Sequence, residues 1–127
     1  MFKIHQSPTL GWEYLPAGAI TPKIGLALHM SAGNLAIAAG TTKPTYICMC
    51  EKDKALSAGD IIPVIRVTDE TIFETTSSVA MTAVKAGSRV TVSADGLQVT
   101  ATTTDGVAEI VHIDDTKAGG TVRVRFA

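Results

Sequence analysis

The sequence predicts an all-β protein: a small antiparallel β-barrel or sandwich of roughly eight to ten short strands, with an extended N-terminal arm. Three observations carry this. Apolar and polar residues alternate with period two, most clearly from Arg89 to Phe126. Ala-Gly turns precede β-branched runs at three places. No stretch has the spacing of a long amphipathic helix.

The turn-then-strand unit reads Ala58-Gly59-Asp60 before Ile61–Val67, Ala86-Gly87-Ser88 before Arg89–Ser93, and Ala118-Gly119-Gly120 before Thr121–Phe126. Glycine permits positive φ in each turn, and Val and Ile then favour a pleated strand. The recurrence implies one shared turn geometry. It does not establish a solenoid, which needs a fixed period.

Taken in order, residues 1–20 hold Pro8, Gly11, Pro16 and Gly18, the only tryptophan (Trp12) and one of two tyrosines (Tyr14). They read as the arm, and residues 21–127 as a single β domain. Next, Ile24, Leu26, Leu28 and Met30 alternate with Lys23, Gly25, Ala27 and His29. Ser31-Ala32-Gly33-Asn34 reads as a turn, with Leu35 and Ile37 on the return strand. Tyr46–Cys50 and Ile61–Val67 are apolar on both faces, which predicts central strands. Pro63 argues against full ladder pairing and predicts a bulge or an edge. Ser77–Lys85 fits a strand or a short helix.

The last third alternates cleanly. Val90 and Val92 face one way, and Arg89, Thr91 and Ser93 the other. Asp95-Gly96 signals a two-residue hairpin, after which Leu97, Val99 and Ala101 alternate with Gln98, Thr100 and Thr102. Asp105-Gly106 repeats the signal before Val107–Ile113. In the final strand Val122, Val124 and Phe126 point inward, and Arg123 and Arg125 outward.

Composition bounds the function. A chain of 127 residues suits one core. It is 46% hydrophobic but only 5% aromatic, so Val, Ile, Leu and Ala must build that core. Charged residues make up 18%, below the usual quarter, which leaves a Thr- and Ser-rich surface or one partly covered by neighbours. A net charge of −1 supplies no field for nucleic acid or anionic lipid. The N-terminus has no apolar signal region and no stretch has membrane-spanning length, so synthesis in a cytoplasm is expected.

Candidate chemistry is sparse. Cys48 and Cys50 stand at i,i+2, which places both on one strand face as reduced thiols. His5, His29 or His112 would have to complete a metal set, and no second cysteine pair exists, so buried small hydrophobes are the better reading. Asp114 and Asp115 point to opposite faces, a poor arrangement for acid–base work. Glu51-Lys52-Asp53-Lys54 reads as a solvated turn without calcium-loop spacing. No serine lies in a Gly-x-Ser-x-Gly setting, and no glycine-rich loop precedes a helix. No catalytic residue, cofactor, metal or small-molecule substrate is therefore expected. The positive signal is Trp12 and Tyr14, joined by Ile4, in a segment of poor core periodicity. Large side chains on an arm are typical anchors for a partner surface. The alternative is that the arm folds back and Trp12 caps one open end of a barrel.

The runs Thr42–Met49, Ala58–Val64, Lys85–Ser93 and Gly119–Phe126 resemble small virion proteins of tailed phages, described as head decoration or head fibre proteins. The likeness is one of texture over residues 22–127: Ala/Thr/Val-rich strands, Ala-Gly turns and a terminal Val-Arg-Phe strand. The resemblance implies a cement protein on the capsid exterior of the virion. Its partner would be the major capsid protein, its own state a homotrimer, and its place of synthesis the host cytoplasm. Several weak contacts per trimer would sum to avid attachment. The alternative it leaves open is a ligand- or host-surface-binding β module on a head fibre.

Overall fold

The β-branched runs resolve into ten strands in the structure, a computed structural model that describes residues 1–127. They are β1 (Lys3–Gln6), β2 (Trp12–Ala17), β3 (Ala27–Ser31), β4 (Asn34–Ile37), β5 (Tyr46–Cys48), β6 (Asp60–Arg66), β7 (Ile72–Thr76), β8 (Arg89–Val90), β9 (Ala108–Ile113) and β10 (Thr121–Phe126). Strands β2-β4-β3-β5-β6 close a barrel, and β1-β7-β10-β9-β8 form a second sheet. All named pairs are antiparallel except β2–β4, which touch in parallel at Ala17 and Leu35. The fold is thus all-β, and it contains a closed barrel with a sheet packed against it.

Alternation decides which side chains fill which layer. Leu26, Leu28, Leu35, Cys48, Ile62 and Val64 point into the barrel. The intervening Ala27, Ile47 and Ile65 point out of it and meet Phe73, Val90, Ile110, Val122, Val124 and Phe126 of the second sheet. Phe2 completes this layer, with its ring 5.2 Å from Phe126 and 6.3 Å from Phe73. Burying a side chain of that size stabilises by about 1.5–3 kcal/mol.

The three Ala-Gly units share one turn. Asp60, Ser88 and Gly120 each donate an N–H to the carbonyl three residues back, at 3.0, 3.0 and 2.9 Å. Gly59, Gly87 and Gly119 have φ of 95°, 92° and 83°, the third-position signature of a type II turn. Each of these glycines also donates its N–H across to a neighbouring segment: to Ala17, Ile110 and Ser77, all at 2.8 Å.

Those bonds expose a duplication. Gly59–Ala17 and Gly119–Ser77 are the same bond sixty residues apart. The β2–β6 register, Leu15 opposite Ile62 and Glu13 opposite Val64, recurs after the same shift in β7–β10, with Thr75 opposite Val122 and Phe73 opposite Val124. With β3 and β5 shifted two residues further and β6 still by sixty, Leu28 opposite Tyr46 becomes Val90 opposite Ala108, and Ile47 opposite Ile65 becomes Glu109 opposite Arg125. The second copy closes through single bridges, Ser77–Val99 and Val92–Val99, where the first has β4. Ser78 donates to the Val99 carbonyl at 2.8 Å just as Gly18 donates to that of Leu35 at 2.9 Å.

Several expectations are corrected. Residues 1–20 are no free arm standing apart from a body at 21–127. Phe2 is buried, β1 pairs with β7, and β2 is a full barrel strand along β6. The physical reason is that two layers each lack a strand or an aromatic that only this segment supplies. Pro63 is neither at an edge nor in a bulge, because β6 lies between β2 and β5. Its missing N–H falls where β5 ends after Cys48, while its carbonyl still accepts the Met49 N–H at 3.0 Å. Ser77–Lys85 is neither strand nor helix. It is a loop that buries Met81 and ties the Met81 N–H to the Thr116 carbonyl at 2.7 Å. Thr91 and Ser93 are buried rather than outward, with the Thr91 hydroxyl bonded to that of Thr100 at 2.6 Å.

Candidate interaction surface

One side of the barrel stays apolar after the core is built. Cross-strand partners point to the same face. Ala27, Ile47, Ile65 and Trp12 are successive partners across β3, β5, β6 and β2, so they form one outward row. The second sheet covers the first three, at 0, 1 and 2% exposure, and leaves Trp12 at 54%. Tyr14 opposite Pro63 and Pro16 opposite Ile61 continue the same face, with Tyr14 67% and Ile61 58% exposed.

A groove of about 280 Å³ adjoins this face, lined by Ile4, Ile24, Ile47, Met49 and Ile65 above Phe2. Ile65 lines the groove and is also the direct partner of Trp12. The three residues singled out from sequence, Ile4, Trp12 and Tyr14, are therefore gathered around one patch. Trp12 does not cap the barrel, since it points outward from the barrel wall. Ile24, Met49, Ile61 and Pro63 belong to the patch and were missed. The available signal was Ile61–Val67 itself, a run apolar on both faces whose outer side needs a cover.

A polar contact joins β2, β5 and β6 beside the patch. The Arg66 guanidinium donates to both Glu13 oxygens at 3.0 and 3.1 Å and to the Tyr46 hydroxyl at 3.0 Å, and lies 5.0 Å from the Tyr46 ring centre. The Glu13 hydrogen bonds raise its pKa further, with help from Tyr46. The fork pairs the Glu13 and Arg66 charges with each other.

Elsewhere the chemistry is structural. Cys48 points into the barrel, and its Sγ lies 3.9 Å from that of Cys50. Burial pushes the Cys48 thiol up to about 12, which keeps it protonated and unreactive. His112 and Asp114 approach to only 3.9 Å on an exposed surface and line neither cavity. No three His, Cys, Asp or Glu side chains are gathered as a metal set.

No family model matches the sequence, and no curated protein matches it. Among solved structures the fold is similar to that of the head fiber gp8.5 N base in bacteriophage phi29, with a TM-score of 0.63. The likeness covers 94% of this chain and 95% of that one, at 18% identity. It agrees with the resemblance to head decoration and head fibre proteins carried by the Ala-Gly turns and the terminal Val-Arg-Phe strand. This all-β chain has, over nearly its whole length, the fold of a phage head fibre base.

Proposed function

We propose that this chain is a non-catalytic structural protein of a phage head. It docks on the outer surface of the shell formed by the major capsid protein and stabilises it as a cement protein, acting as a homotrimer. The observation that carries the reading is the end-to-end likeness to a head fibre base. The apolar patch of Ile4, Trp12, Tyr14 and Ile61 is the surface offered to the shell. Central aromatic anchors with an aliphatic surround are what a desolvated protein contact uses. A trimer multiplies such a contact, so modest individual affinities hold it on the capsid.

The host-surface alternative fits the patch less well. A glycan site needs stacking aromatics inside a groove, and the groove here is lined mainly by aliphatic side chains. The test is to mix the purified protein with undecorated capsids of the phage that encodes it. Saturable binding with a fixed number of copies per capsid is expected. Absence of binding by folded protein overturns the reading.

A further inference from the structure

The two duplicated halves differ at one seat. In the second half, β1 covers the side of β7 that faces away from β10: Lys3 pairs with Glu74 and Gln6 with Ile72. Sixty residues earlier, the same two positions are Tyr14 and Trp12 on β2. There the corresponding side of β2 is joined only at Ala17, by β4.

Strand alternation defines what this bare side offers. The Ala17 carbonyl faces β6's side and accepts the Gly59 N–H at 2.8 Å, whereas Gly18 faces the opposite side and donates to Leu35 at 2.9 Å. Trp12 and Tyr14 are in step with Gly18, so their backbone N–H and C=O groups turn toward a side with no paired strand. Pro16, next in step, has a carbonyl but no N–H, which limits the donors to two. Their side chains are the two exposed aromatics of the patch.

We propose that the Trp12–Tyr14 edge of β2 receives a short antiparallel strand donated by the capsid protein, on the side and in the direction in which β1 sits on β7. This rests on the capsid reading above and specifies its contact. The donated segment is extended, and it carries apolar side chains at i and i+2 to pack on Trp12 and Tyr14. Two occupants from this protein itself fit worse. The β1 of a second copy is held in place by Phe2, which is 3% exposed between Phe73 and Phe126. A β2–β2 pair centred on Glu13 sets two Glu13 side chains opposite each other, and one centred on Tyr14 sets Pro16 opposite Trp12.

The test combines amide exchange with paired substitutions, on undecorated capsids. In the free protein the Trp12 and Tyr14 amides should exchange much faster than those of Ile72 and Glu74, and should become protected on capsids. Tyr14→Val and Tyr14→Pro both lose the ring, but only proline loses the N–H. The proline variant should bind about tenfold more weakly than the valine variant, the effect of one hydrogen bond. Should Tyr14→Pro melt early, Trp12→Pro against Trp12→Val makes the same comparison, and the exchange measurement needs no variant. Wild-type binding with unprotected β2 amides, or equal binding by the Pro and Val variants, overturns the donated strand and leaves capsid binding intact. No binding by folded wild type overturns both. Protection in the free protein that grows with its concentration assigns the edge to a second copy and overturns the proposal.

Discussion

Ile65 and Trp12 stand directly opposite each other on β6 and β2, one 2% and the other 54% exposed. They mark the line at which the second sheet stops covering the barrel. Inside the line an outward apolar residue is core; outside it the same kind of residue is surface.

Substitutions outside the line should separate stability from binding. Trp12→Thr and Tyr14→Thr keep β-forming residues and remove only exposed area, so each should change stability by no more than about 0.5 kcal/mol. Both should weaken attachment to undecorated capsids. Thermal melting and capsid co-sedimentation give the two readouts. A variant that melts normally and binds normally argues against the patch.

Substitution inside the line should behave oppositely. Phe2→Ala opens a hole between Phe73 and Phe126 and should cost about 3–5 kcal/mol. Removing residues 1–6 should cost at least as much, because β7 also loses its β1 partner. Urea denaturation measures both. A stable truncated protein would restore the picture of a detachable arm.

The turn glycines isolate backbone strain. A Cβ at Gly59, Gly87 or Gly119 meets nothing within 4 Å, so alanine there tests the positive φ alone, at about 1–2 kcal/mol each. Gly106 is different: its Cβ would overlap the Arg89 carbonyl, and relief requires β8 to shift. Gly106→Ala should therefore be the most damaging of the four in the same denaturation assay.

Asp95 should contribute to acid sensitivity. Burial disfavours its charge, but the Ser93 hydroxyl, the Leu97 N–H and the N-terminal amine outweigh this and hold its carboxyl below the ordinary value. A depressed folded pKa means stability that is present above the unfolded value and lost as pH falls through the folded one. The unfolding midpoint of wild type should fall from about pH 5 downward, and Asp95→Asn should flatten that fall. Parallel slopes in the two proteins would count against it.

The thiols should differ in reactivity. Cys48 is buried, with its thiol at about 12, while Cys50 is half-buried beside it. Alkylation at neutral pH, followed by mass spectrometry, should modify Cys50 first and Cys48 only on unfolding. Equal labelling rates in the native protein would show that the barrel opens.

Much of the strand order is legible in the sequence where one face is wet. Val122, Val124 and Phe126 alternate with two arginines, and all three are fully buried. The Ala-Gly turns are equally plain, because only glycine takes their φ without strain. Residues 12–17 were hidden for the opposite reason. Leu15 and Ala17 point inward, but Trp12, Tyr14 and Pro16 point outward and are also apolar, so period two leaves no trace in hydropathy. The duplication was invisible because backbone bonds carry it. At equivalent positions Ala17 answers Ser77, Tyr46 answers Ala108 and Arg66 answers Phe126, pairs with little chemistry in common.

The placement of β1 on β7 also orders events during synthesis. The barrel strands β2 to β6 are all available once Arg66 has left the ribosome. Lys3–Gln6 must wait for Ile72–Thr76, and the pocket for Phe2 does not exist until Phe126 is made. A nascent chain therefore carries Lys3–Gln6 without its partner strand until Ile72–Thr76 has emerged, and this closure is slow and long-range.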